Sequence, residues 1–145
     1  MPSRSPSRRQ ADNEHLRTRR DHASELAEDY VEAIAEIVER TGFCRVTDLA
    51  ERFAVSHVSV NRAIARLKRD GFVEAHPYGP VHLTASGSRL AQHSRDRHRI
   101  VLEFLRALGV SEKTAALDAE GLEHHVSSET LRKMKAFAVD RATDG

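Results

Sequence analysis

The chain has 145 residues, 39% of them hydrophobic and 31% charged, with a formal net charge of +1. This is enough for one ordinary domain, or two small ones sharing a core, and the balance is that of a soluble, helix-rich protein. One cysteine, Cys44, excludes an intrachain disulfide and suits a cytosolic setting; the 5% aromatic content without Trp speaks against a base-stacking RNA-binding sheet; and no apolar run approaches the ~20 residues of a membrane span.

Residues 1–20 are rich in Arg, Ser and Pro and lack the apolar core of a secretory signal. Too little apolar area is present in residues 1–23 to offset the entropy of ordering, so a flexible basic arm is expected there. From Ser24 to Arg40 the pattern predicts a helix. Leu26, Tyr30, Ile34, Ile37 and Val38 form its apolar stripe, and Gly42 is its C-terminal stop. Glu25, Asp29, Glu32 and Glu36 form a second, acidic stripe beside the first. It reads either as a hydrated face or as part of a cation site, and spacing does not say which carboxylates would be ligands.

A compact pattern follows. Thr47 caps a short helix over 48–53, Ala54-Val55-Ser56 turns, and Ser56 caps a second helix that stops at Gly71. Val60, Ala63, Ile64 and Leu67 face inward in this second helix. His57, Val58, Asn61, Arg62 and Ala65 face outward, with Arg66 and Arg69 at the flank. Two short helices joined by a turn, the second cationic on its outer side, predict a helix-turn-helix. Residues 72–76 and 81–83 read as strands around the turn Pro77-Tyr78-Gly79-Pro80, which makes the unit a winged helix. Arg62 and Asn61 are the expected base readers, with His57 and Val58 near the groove floor. Ser56, Ser59, Arg66 and Tyr78 are expected on the phosphates of double-stranded DNA.

Thr84 caps a long helix running to Leu108 and ended by Gly109. His98 lies on the same stripe as Val101, Leu105 and Leu108, as a core histidine or as a ligand. Ser111 starts a short helix through Leu117. Ser127 caps a last helix with Leu131, Met134, Phe137 and Ala138 on its apolar face. These hairpins carry more apolar surface than one small bundle can bury, so a homodimer is expected. Between them lies Asp118-Ala119-Glu120-Gly121-Leu122-Glu123-His124-His125. On a helix, Glu120, Glu123 and His124 fall at i, i+3 and i+4 and converge on one side. Carboxylates with one imidazole suit manganese or iron better than a thiolate-seeking metal.

The stretches Glu28-Asp29-Tyr30-Val31-Glu32, Arg45-Val46-Thr47-Asp48-Leu49-Ala50, Arg97-His98, Phe104-Leu105-Arg106-Ala107-Leu108-Gly109-Val110 and residues 118–125 together resemble the diphtheria toxin repressor family. The likeness is to its manganese-responsive, shorter type and covers roughly residues 24–140. It implies a mostly α chain: a winged helix-turn-helix over 24–84, then an all-helical dimerisation and metal-binding domain over 85–142. It implies Asp29, Glu32, His98, Glu120, Glu123 and His124 as metal ligands, with His125 a neighbour outside the set. Two Mn(II) ions per subunit are implied, with Fe(II) as the alternative. Iron-tuned relatives place Met and Cys where Asp29 and Glu123 stand here, and two carboxylates favour the harder manganese. The implied partners are operator DNA and a second copy, with no membrane and no small organic substrate. A dinuclear hydrolase using the same donors is the enzymatic rival, and the helix-turn-helix argues for a non-enzyme; a metal-independent winged-helix repressor, its acidic cluster only a solvated face, is the second rival.

Overall fold

The computed structural model describes residues 8–144, apart from the side chains at 15 and 17–22. Six helices and one hairpin follow in order: α1 (Arg8–Thr41), α2 (Val46–Phe53), α3 (His57–Arg69), β1 (Val73–Ala75), β2 (Val81–Leu83), α4 (Ala85–Ala107), α5 (Glu112–Leu122) and α6 (Ser128–Thr143). Residues 1–7 of the expected arm lie outside the described residues. From Arg8 onward the chain is helical, sixteen residues ahead of the expected start at Ser24. The stretch 8–23 contains no Gly or Pro. Once the packed half of α1 exists, extending it costs little, because each further residue adds a backbone bond without a new nucleus.

The buried face of α1 is also wider than one stripe. Tyr30, Val31, Ala33, Ile34 and Ile37 are buried, whereas Leu26 and Val38, expected in the core, are 45% and 37% exposed. The helix is flanked on two sides, by α2 and β2 of the winged helix and by α4, so the buried arc is centred on Val31 and Ile34.

α2 begins at Val46 rather than after Thr47, because the Arg45 backbone N–H donates to the Asp48 carboxylate at 2.9 Å and closes the first turn one step early. Ser56 caps α3 as expected, accepting from the Ser59 N–H at 3.1 Å. Gly71, at φ +80°, reverses the chain out of α3 into β1, a conformation that costs an L side chain strain. β1 and β2 pair antiparallel with Val73 opposite Leu83 and Ala75 opposite Val81. The Val81 N–H donates to the Cys44 carbonyl at 2.7 Å, so the wing is sewn to the chain that leads into α2. This half encloses one core, with Ile34, Leu49, Val60, Leu67, Val73 and Val81 at its centre and Tyr30 stacked on Phe53 at 4.5 Å.

α4 joins the two halves. Its N-terminal part contributes Ala91 to the first core, and its C-terminal part contributes Val101 and Leu105 to a second core with Ala115 and Ala119 of α5. Thr84 locks the junction: its hydroxyl donates to the Gly71 carbonyl at 2.6 Å and accepts from the Gly87 N–H at 3.1 Å. Gly87 is demanded by close approach, since a Cβ there would stand 2.0 Å from the Phe72 carbonyl oxygen. α6 lies along α4, with Phe104 edge-on to Phe137 at 5.5 Å. Leu108, Leu117, Leu122 and Val139 of this second half stay exposed.

Candidate metal centre

α5 ends at Leu122, so Glu120 sits in its last turn, Glu123 closes it at φ −56° and ψ −32°, and His124 opens the turn towards α6. The expected helical run across Glu120, Glu123 and His124 therefore stops just before its last two members. Arg97 of α4 holds that turn in place. Its guanidinium donates to the Glu123 carbonyl at 2.5 Å and the Val126 carbonyl at 2.9 Å. The turn is thereby pressed against the acidic face of α1.

A cavity of about 560 Å³ opens where these elements meet. Asp29, Glu32, His98, Glu120, Glu123 and His124 all line it, together with Glu25. Glu36, the fourth member of the acidic stripe, is turned instead to Arg52 at 2.5 Å. One stripe in sequence thus divides into residues facing the cavity and one engaged in an ion pair beside it. Among the described residues, no three donors are drawn around a single point closely enough to hold an ion. They pair with each other across the cavity. Glu123 Oε2 lies 3.2 Å from His98 Nδ1, and His124 Nε2 lies 3.3 Å from Asp29 Oδ1 and 3.5 Å from Glu123 Oε1. Glu32 accepts from the Ser94 hydroxyl at 3.0 Å.

The electrostatics of this cluster ask for a cation. Glu123 is 4% exposed, and its Oε2, although close to His98 Nδ1, makes no hydrogen bond to it or to another described group. Burial first, then the nearby charges of Glu32, Asp29 and Glu28, push its carboxyl up to about 8, against a counteracting pull from His124. His124 is pushed up to about 10, by its hydrogen bonds to Asp29 and Glu28 before anything else. Protons therefore occupy the place of positive charge among the carboxylates. An orphaned, buried carboxylate oxygen beside two imidazoles and further carboxylates is a donor set that fits a hard divalent cation.

Three contributors escaped the sequence reading. Glu28 reaches His124 Nδ1 at 2.7 Å; Ser94 braces Glu32; Arg97 braces the turn. Glu28 and Arg97 stood in the stretches that carry the family resemblance but had no role assigned there; Glu28 also sits four residues before Glu32 on the same helix.

The DNA-reading candidates stand apart from this cavity. Ser56, His57, Val58, Ser59, Asn61 and Arg62 are exposed along the first turns of α3, with Val58 at 60%. Tyr78 is fully exposed at the tip of the wing, at φ 61°. Arg66 is exposed but also borders a depression shared with Ala23, Ala27 and Asp70, so it stands nearer α1 than the others do.

A winged helix-turn-helix joined through α1 and α4 to a helical domain, with hard oxygen and nitrogen donors at the joint, defines a class: metal-dependent DNA-binding regulators of transcription. Comparison with known proteins narrows this. Residues 22–81 match the family model described as the iron dependent repressor N-terminal DNA binding domain, and residues 84–144 match the iron dependent repressor metal binding and dimerisation domain. The chain belongs to the iron-dependent repressor family. Among curated relatives, the transcriptional regulator MntR of Escherichia coli O6:H1 is 47% identical over 116 residues, covering 80% of this chain and 75% of the relative. The HTH-type transcriptional regulator MntR of Bacillus subtilis is 35% identical over 107 residues, covering 74% and 75%. A solved manganese-dependent transcriptional repressor in complex with manganese superposes with a TM-score of 0.69 at 33% identity, over 77% of this chain. The chain spans about half the length of that solved protein, 52% of it.

Proposed function

We propose that this chain is a manganese-responsive, DNA-binding repressor, acting in the cytoplasm as a homodimer on operator DNA that controls manganese uptake genes. Residues 24–84 read DNA, and residues 85–142 dimerise and hold the metal. One observation carries the reading: donors from α1, α4 and the α5–α6 turn face one cavity at the joint between the two halves. The family model carries iron in its description. Carboxylates at Asp29 and Glu123, with no thiolate or thioether among the lining residues, favour manganese by hardness.

Asp29, Glu32, His98, Glu120, Glu123 and His124 would hold the metal, with two ions per subunit as the expected stoichiometry. A bound divalent ion supplies the positive charge that lets these groups share one site without protons on Glu123 and His124. The chain's own residues do the rest. Asp29 and Glu32 belong to the helix that also packs on the helix-turn-helix, so fixing them fixes α3. Arg97 keeps the α5–α6 turn facing them, and Ser94 keeps Glu32 in place. Without a cation, carboxylates repel and the two halves sample more orientations, so metal shifts the population toward the DNA-reading one. Coupling of ~1–3 kcal/mol is ordinary for such a switch. The exposed Leu108, Leu117, Leu122 and Val139 offer apolar surface to a second copy, and a dimer matches the two-fold symmetry of half-sites.

Fluorescence anisotropy on a labelled fragment of a manganese-uptake promoter tests this, first with chelator and then with manganese, iron(II), zinc or cobalt. Tight binding that appears with manganese and disappears with chelator is expected. Equal binding in both conditions would overturn the proposal.

A further inference from the structure

Glu28 belongs to none of the donor sets above and does not line the metal-facing cavity. It borders a separate depression, formed with Ala27, Phe72 and Leu90. Yet its Oε2 lies 2.7 Å from Nδ1 of His124, a residue 96 positions further along the chain. The opposite nitrogen, Nε2, is turned to Asp29 and Glu123. We propose that Glu28 is a positioning residue: it accepts the Nδ1–H of His124, aims Nε2 into the metal centre, and ties α1 to the α5–α6 turn. The proposal rests on the reading of this cavity as a metal site.

An imidazole that binds a metal through one nitrogen carries its proton on the other, and the partner of that N–H decides which nitrogen is which. Here the two nitrogens face different neighbours on opposite sides of the ring. Glu28, outside the cavity, can take the N–H while Asp29 and Glu123, inside it, share the lone-pair side. The contact is also shielded, since the His124 and Glu28 side chains are only 4% and 16% exposed. Water is poorly placed to substitute for the carboxylate, so removing it frees the ring to rotate or to bind through the wrong nitrogen. Because Glu28 lies within the DNA-binding match and His124 within the metal-binding match, the same bond also joins the two halves.

The test compares wild type, Glu28→Ala and Glu28→Gln. Manganese binding is measured by calorimetry, and the imidazole ¹⁵N spectrum is recorded with cadmium, a diamagnetic stand-in. His124 is assigned through His124→Ala. We expect wild type to show a protonated Nδ1 and a metal-bound Nε2. Glu28→Ala should lose that single pattern and bind manganese about 10–100-fold more weakly, the range for outer-shell partners, with the number of ions unchanged. Glu28→Gln, whose amide oxygen still accepts Nδ1–H, should recover most of the affinity and the wild-type ring pattern. Wild-type affinity and ring spectrum in Glu28→Ala would overturn the proposal, and so would loss of a whole ion, which would make Glu28 a ligand. A wild type that binds neither metal would instead overturn the functional reading. The metal-free protein would then decide: loss of an exchange-protected His124 Nδ1 proton in Glu28→Ala supports the positioning role, and its persistence refutes it.

Discussion

Glu123→Gln isolates the electrostatic cost of one buried carboxyl in the metal-free protein. The substitution keeps shape and removes charge. In the folded chain the Glu123 carboxyl is pushed from its ordinary 4.5 up to about 8, chiefly by burial. The folded state therefore holds a proton that the unfolded state has released between those two values. Stability must fall as pH rises through that window, because the unfolded chain binds fewer protons there. His124 adds a similar loss, but only above its ordinary 6.5, as it is raised to about 10. The interval from pH 5 to pH 6.5 thus reports mainly on Glu123. One proton of difference is worth about 1.4 kcal/mol per pH unit, so wild type should lose roughly 2 kcal/mol across this interval relative to Glu123→Gln. Urea unfolding of the chelated proteins at a series of pH values measures the difference. Saturating manganese should flatten the wild-type profile, since a bound cation replaces the proton, and should have far less effect on the variant. Parallel profiles for wild type and variant without metal would refute the reasoning that Glu123 is buried at an electrostatic cost.

Other consequences are equally direct. Glu32→Gln should weaken manganese binding at least about tenfold, roughly the 1.4 kcal/mol that one lost ligand easily exceeds, whereas Glu36→Gln should leave it unchanged, because Glu36 is paired with Arg52 beside the cavity. Calorimetry on the two variants gives the comparison, and equal losses would show that the acidic stripe acts as a diffuse charge. Gly87→Ala forces a methyl against the Phe72 carbonyl and should cost about 1–3 kcal/mol or more as overpacking; a thermal melting point within a degree of wild type would rule out that close approach. Cys44 is fully buried, and burial pushes its thiol up to about 12. Its labelling by a disulfide reagent at neutral pH should therefore follow unfolding, and rapid labelling of the native protein would contradict the packing of the wing on Cys44.

Local chemistry made much of the fold legible. Ser56, Thr84, Ser111 and Ser127 each accept from a backbone N–H three residues on, in the positions where polar caps before apolar periodicity place helix starts. Gly42, Gly71 and Gly109 end their helices at positive φ, as residues without a Cβ do cheaply. Where neighbours decided, local reading fell short. Residues 8–23 look too polar to order by themselves, yet they continue a helix nucleated elsewhere. Leu26 and Val38 fit the apolar period of α1, but the flanking elements cover a different arc.

What the sequence by itself determined is the set of parts: caps, turns, a cationic helix after a tight turn, and the residue types able to hold a hard cation. Those properties depend on groups a few positions apart along one backbone. Only the tertiary structure decided which parts meet. It turned Asp29 and Glu32 to the cavity and Glu36 to Arg52, left Glu123 Oε2 buried without a hydrogen bond, and brought Glu28 across 96 residues to His124. Burial and through-space charge set these outcomes, and neither is a property of neighbours in sequence.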